Sequence, residues 1–127
     1  MNVLQLIKNA IKRFRLKKDR YILLNVVYEM MQILNKGIPD SLGWYRRSFQ
    51  TNLGNRIVYC KKFQEGASHE VIHLLYWENE NSSEPLFTIN MSDNSYKYFN
   101  YSGITEDQAW LAIHELEELS YKELEKL

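Results

Sequence analysis

The spacing of apolar residues changes period twice along this 127-residue chain. Leu4, Ile7, Ile11 and Phe14 recur at intervals of three and four, which marks one stripe of a helix over 3–17. Ile22, Leu23, Val26, Val27, Met30, Met31, Ile33 and Leu34 then fill a second helical segment, 20–35. That segment is apolar on more than one face, as expected of a central buried helix. The two segments read as a bent pair or as one long bent helix. A break at Lys18–Asp19 would let Asp19 cap the second. Lys36–Gly37 followed by Pro39 is a stop signal, with Gly37 as the expected C′ residue.

From Arg56 the period falls to two. Residues 56–63, 68–78, 86–91 and 96–101 read as four strands joined by short polar turns, an antiparallel meander. Before them, 38–55 reads as a connection whose Trp44, Tyr45 and Phe49 pack onto the body, with Arg46 and Arg47 between them. A connection of that length in a small domain is more often functional than idle. After Gly103 the helical period returns. Thr105 and Gln108 form a capping-box signature, and Ala109, Ala112, Ile113, Leu116, Leu119 and Leu124 give the core stripe of an amphipathic helix packed on one sheet face. The expected fold is α+β in one domain, 1–127: helical over 1–36, antiparallel sheet over 56–101, helix over 105–127.

Net charge is zero, yet the charge is polarised. Residues 1–20 carry seven Lys/Arg against Asp19, and 105–127 carry seven acids against two lysines. The ends are suited to each other, within one chain or between two copies, or to partners of opposite sign. Met1 to Ile11 lacks the pattern of a cleavable signal, and the apolar run 21–34 is broken by Asn25, Glu29 and Gln32. Cys60 is the only cysteine and alternates with Val58, as a small buried hydrophobe would. A cytoplasmic location is the expectation.

One segment carries a catalytic pattern. Residues 69–73 read His-Glu-Val-Ile-His, and this H-E-x-x-H run resembles the zincin metallopeptidases. The resemblance covers five residues. It implies a helix at 67–77, His69 and His73 as zinc ligands and Glu70 as general base. His114, Glu115 and Glu118 are candidates for a third ligand. The β-branched and aromatic flanks instead favour a strand. There the two histidines would stand roughly 13 Å apart, at about 3.3 Å per residue, too far for one ion.

The remaining candidates are surfaces. Aromatic residues make up 13% of the chain, and Trp77, Tyr96 and Tyr98 lie where strand alternation puts rings on both sheet faces. Only one face can meet the helices, so the other is a candidate contact surface. Glu115, Glu117 and Glu118 on the last helix suit a basic partner, such as a toxin or nuclease. Lys12, Arg13, Arg15, Lys17 and Lys18 suit nucleic-acid phosphates, or the acidic helix of a second copy. Without a complete catalytic set, the leading expectation is a non-enzymatic protein-binding module that needs no cofactor. In size and type it matches stoichiometric inhibitors such as bacterial immunity proteins, antitoxins or phage-borne inhibitors. A zinc hydrolase and a nucleic-acid-associated protein are the alternatives.

Overall fold

The computed structural model describes residues 3–4, 22–65, 69–92, 97–100 and 103–126, with the backbone alone for Glu65, His69 and 97–100. Val3 and Leu4 are helical. The rest of the expected first helix, including the basic patch Lys12, Arg13, Arg15, Lys17 and Lys18, lies outside the described residues. The expectation of two N-terminal helices is therefore corrected to one described helix before the sheet, α1 over residues 22–34. All eight apolar residues named for it are buried, while Asn25, Tyr28 and Gln32 face outward. It closes with Asn35 N–H donating to Met31 O and Gly37 N–H to Leu34 O. Gly37 takes no left-handed conformation, unlike Gly43, Gly54 and Gly103, so it is not the expected C′ glycine.

Five antiparallel strands follow in meander order: β1 Tyr45–Thr51, β2 Gly54–Glu65, β3 His69–Trp77, β4 Phe87–Ser92 and β5 Lys97–Asn100. β2 to β5 fall where alternation predicted strands. β1 was expected to be part of a connection. It is an edge strand with a single buried large side chain, Phe49, and two arginines, so its apolar alternation is weak. A tight turn at Asn52–Leu53 joins it to β2, with Gly54 at φ 119° and Thr51 Oγ1 donating to Gly54 O at 2.7 Å.

Register separates the sheet into two faces. Val58, Tyr76 and Phe87 form one cross-strand row, and Cys60, Leu74 and Ile89 form the next. Each of these six is fully buried. This inner face packs against α1 and against α2, Glu106–Glu125, in one core. α2 starts in the expected capping box. Thr105 Oγ1 accepts from Gln108 N–H, and Gln108 Oε1 accepts from Thr105 N–H. Its stripe is as read from sequence: Ala109, Ile113, Leu116 and Leu119 are buried, with Ala112 and Leu124 packed beside them. The two helices touch through Ser120 Oγ, which donates to Glu29 Oε2 at 2.8 Å. No described helix is long and apolar enough to cross a membrane.

Candidate functional site: the outer sheet face

The opposite face carries Arg46 from β1, Ile57, Tyr59, Lys61 and Phe63 from β2, and Val71, His73, Leu75 and Trp77 from β3. Among the described residues no helix lies on it. The sequence folds this way because β3 from Val71 to Trp77 and β2 from Ile57 to Cys60 are apolar or aromatic at consecutive positions, His73 aside. Alternation then leaves rings on both sides.

Trp44 is brought onto this face by a knot in the chain before β1. Asp40 Oδ1 accepts N–H bonds from Leu42 and Trp44, both at 2.9 Å, and Asp40 N–H donates to Trp44 O. Gly43, at φ 88°, makes the tight reversal that this requires. The indole then meets Tyr59 edge-on and His73 at a tilt, each with ring centroids 6.4 Å apart. Phe63 packs edge-on against His73 at 4.7 Å, and Tyr59 against Trp77 at 6.4 Å. Phe63, His73, Trp44, Tyr59 and Trp77 thus form one unbroken ribbon of rings, at separations where aromatic pairs attract. Lys61 Nζ stands 5.7 Å from the Trp44 ring centre, and the Arg46 guanidinium 5.8 Å from that of Tyr59.

At the Trp77 end the ribbon meets residues 78–86, which link β3 to β4. Asn79 Oδ1 accepts from Asn81 N–H and Ser82 Oγ, shaping a turn that presents Glu80 to β1. Arg46 Nη2 donates to Glu80 Oε1 at 2.7 Å, and Arg46 Nε donates to the Tyr59 hydroxyl at 3.1 Å. These two bonds, Tyr59 first, raise the Arg46 pKa above its ordinary value. Trp77 Nε1 is buried and has no hydrogen-bond partner among the described residues. An unmatched buried donor costs about 1–3 kcal/mol.

Of the surface residues singled out from sequence, Trp77 belongs to this face. Tyr98 pairs with Asn90 in register, in the row of Lys61 and His73, and Tyr96 lies outside the described residues. The acidic trio of α2 is split. Glu115 turns inward, where its carboxylate accepts from Arg56 Nε at 2.8 Å and from the Tyr76 hydroxyl. Burial, then the bond to Glu115, raises the Tyr76 pKa above its ordinary value. Glu117 is half-buried, 3.8 Å from His114 Nδ1, and Glu118 pairs with Lys122 on the surface. A cavity of about 550 Å³ lies between the β1–β2 turn and α2, rimmed by the exposed Leu53 and Leu111. The carboxylates that line it, Glu115 and Glu118, are those already paired.

The helix that the zincin resemblance implies does not form, and the strand that the flanking residues favoured does. Residues 69–77 are strand, not helix, so His69 and His73 are not one helical turn apart but four strand residues apart, roughly 13 Å at the usual rise. Glu70 forms an ion pair with Lys62, and His73 sits between Phe63 and Trp44. Among the described residues no cluster of three His, Cys, Asp or Glu is placed to hold a metal. Cys60 is fully buried, and desolvation pushes its thiol up to about 12, away from nucleophilic use at neutral pH.

Sequence reasoning did not name Tyr59, Lys61, Phe63 or Glu80 for any surface, and it placed Trp44 and Arg46 only in a connection packed on the body. The signal that would have found Trp44 is the run Asp40 to Gly43, an acceptor followed by a glycine just ahead of an aromatic. No family model matches this sequence, and no curated protein and no solved structure matches it.

Proposed function

We propose that this chain is a protein-binding module of the stoichiometric-inhibitor type, and that it meets its partner through the outer sheet face. The observation that carries the reading is the ribbon from Phe63 to Trp77 on a face without a described helix. Tyr, Trp and Arg are the side chains that dominate binding energy at protein interfaces, and here they stand together on a rigid sheet. The acidic helix is the weaker candidate surface, because Glu115 and Glu123 are engaged with Arg56 and Arg47 of the sheet.

The test compares three immobilised proteins in the native host extract: wild type, Trp44→Ala and Glu118→Lys. A protein retained by wild type and Glu118→Lys but lost from Trp44→Ala is then purified and titrated calorimetrically. The expected result is a one-to-one complex weakened by about tenfold or more in Trp44→Ala, the loss of one central aromatic anchor. A partner that ignores Trp44→Ala and is lost with Glu118→Lys would move the interface to α2 and overturn the reading.

A further inference from the structure

The Trp77 end of the ribbon holds a pocket of about 310 Å³, lined by Arg46, Tyr59, Trp77, Glu80 and Ser82 among others. A second of about 320 Å³ adjoins it, and the two share Ile57, Asn79 and Glu80. The two are adjoining lobes, and Glu80 lines both.

The first lobe is rich in donors. Arg46 offers its guanidinium. The Tyr59 hydroxyl accepts from Arg46 Nε, which leaves its own proton to donate. The Trp77 ring lines the lobe beside them, its own N–H buried and without an acceptor among the described residues. Against the donors of Arg46 and Tyr59 stands, among the described residues, one carboxylate, Glu80, whose side chain is 72% exposed. An ion pair that open to water is weak and readily exchanged. It nevertheless shows what the lobe accepts, a carboxylate oxygen on Arg46 Nη2.

We propose that this lobe receives a carboxylate side chain of the partner protein, and that Glu80 is a resident stand-in which the incoming acid displaces. The proposal rests on the protein-binding reading and adds the chemistry of the partner. Displacing Glu80 frees Arg46 Nη2, so that an incoming acceptor oxygen reaches it beside the Tyr59 hydroxyl. The lobe favours a carboxylate over a phosphate because Arg46 is the one cation among the described residues that line it. The apolar ribbon beside it suits the neighbouring residues of a peptide.

The test follows the indole N–H signals of the three tryptophans in ¹⁵N-labelled protein, with Trp77 assigned through Trp77→Phe. The probe is a short blocked peptide with one central glutamate between leucines, and its glutamine counterpart is the control. In Glu80→Gln protein the glutamate peptide should move the Trp77 signal to saturation, with an affinity about fivefold or more above wild type, since the closed form no longer competes. Arg46→Gln protein, its Trp110 signal unchanged as a check of folding, should not respond. An equal response to the glutamine peptide would overturn the proposal. So would equal affinity in wild type and Glu80→Gln, or a response to inorganic phosphate and not to the glutamate peptide. Because the readout needs no natural partner, it is separable from the reading it rests on. A partner lost from Trp44→Ala but bound at full strength by Arg46→Gln would remove the lobe and leave the ribbon.

Discussion

The two faces of the sheet each carry an arginine, a glutamate and a tyrosine in one hydrogen-bonded group. On the inner face Arg56 Nε meets Glu115 Oε1 at 2.8 Å, and Tyr76 donates to the same carboxylate. On the outer face Arg46 Nη2 meets Glu80 Oε1 at 2.7 Å, and Tyr59 accepts from the same guanidinium. The bond lengths are alike, and burial is not. The inner side chains are 11% and 17% exposed, the outer ones 42% and 72%. Within the core a lost partner leaves a charge that water barely reaches. At the surface water and salt replace the partner. The same three residue types thus lock α2 to β2 and β3 on one side and make an exchangeable contact on the other.

The largest expected effect comes from breaking the inner group. Glu115→Ala should lower the unfolding free energy by about 3 kcal/mol in urea titration, because Arg56 is left buried and uncompensated. A loss under about 1 kcal/mol would remove the distinction between the faces. Asp40→Ala should cost about 1 kcal/mol by releasing two backbone N–H groups, and should shift tryptophan emission to the red as Trp44 leaves the ribbon. Unchanged emission would mean that Trp44 holds its place without the knot.

Alkaline pH sharpens the inner face further. The Cys60 thiol has an ordinary value of 9.0 and is pushed up to about 12 in the fold. Between those values the unfolded chain has lost the proton and the native state keeps it. This contribution to stability is therefore complete below about pH 9 and fades as pH rises toward 12. Tyr76 acts in the same direction from its ordinary value of 10.0 upward. Melting temperatures measured from pH 8 to 10.5 should fall less steeply in Cys60→Ala than in wild type. Equal slopes would contradict the burial of the thiol. The smallest effect is expected outside, where Glu80→Ala should change stability by no more than about 0.5 kcal/mol.

The two faces also differed in how far the sequence revealed them. The inner face was legible. Alternation in β2, β3 and β4, the stripe of α2 and the Thr105–Gln108 box are local periodic signals, and the core is built from them. The outer face was legible only as a surplus of rings. Its order depends on β1, an edge strand with weak alternation, and on the knot at Asp40 that carries Trp44 across the sheet. Glu80 meets Arg46 across 34 positions, a distance that no local pattern encodes. That Glu115 turns inward was hidden for a related reason. Charge counting treats a helix as solvated all round, whereas Glu115 and Glu123 lie toward the sheet and answer Arg56 and Arg47. The His69 to His73 spacing had a correct competing signal in the β-branched Val71 and Ile72 between the histidines and the aromatic Tyr76 and Trp77 after them, and the strand followed it.

The most direct measurement is a pair of double-mutant cycles by urea unfolding, one for Arg56 and Glu115 and one for Arg46 and Glu80, each residue replaced by alanine. Coupling of about 2 kcal/mol or more is expected for the inner pair, and below about 0.5 kcal/mol for the outer pair. Equal couplings, or a stronger outer pair, would contradict the claim that one group locks the fold while the other is open to exchange.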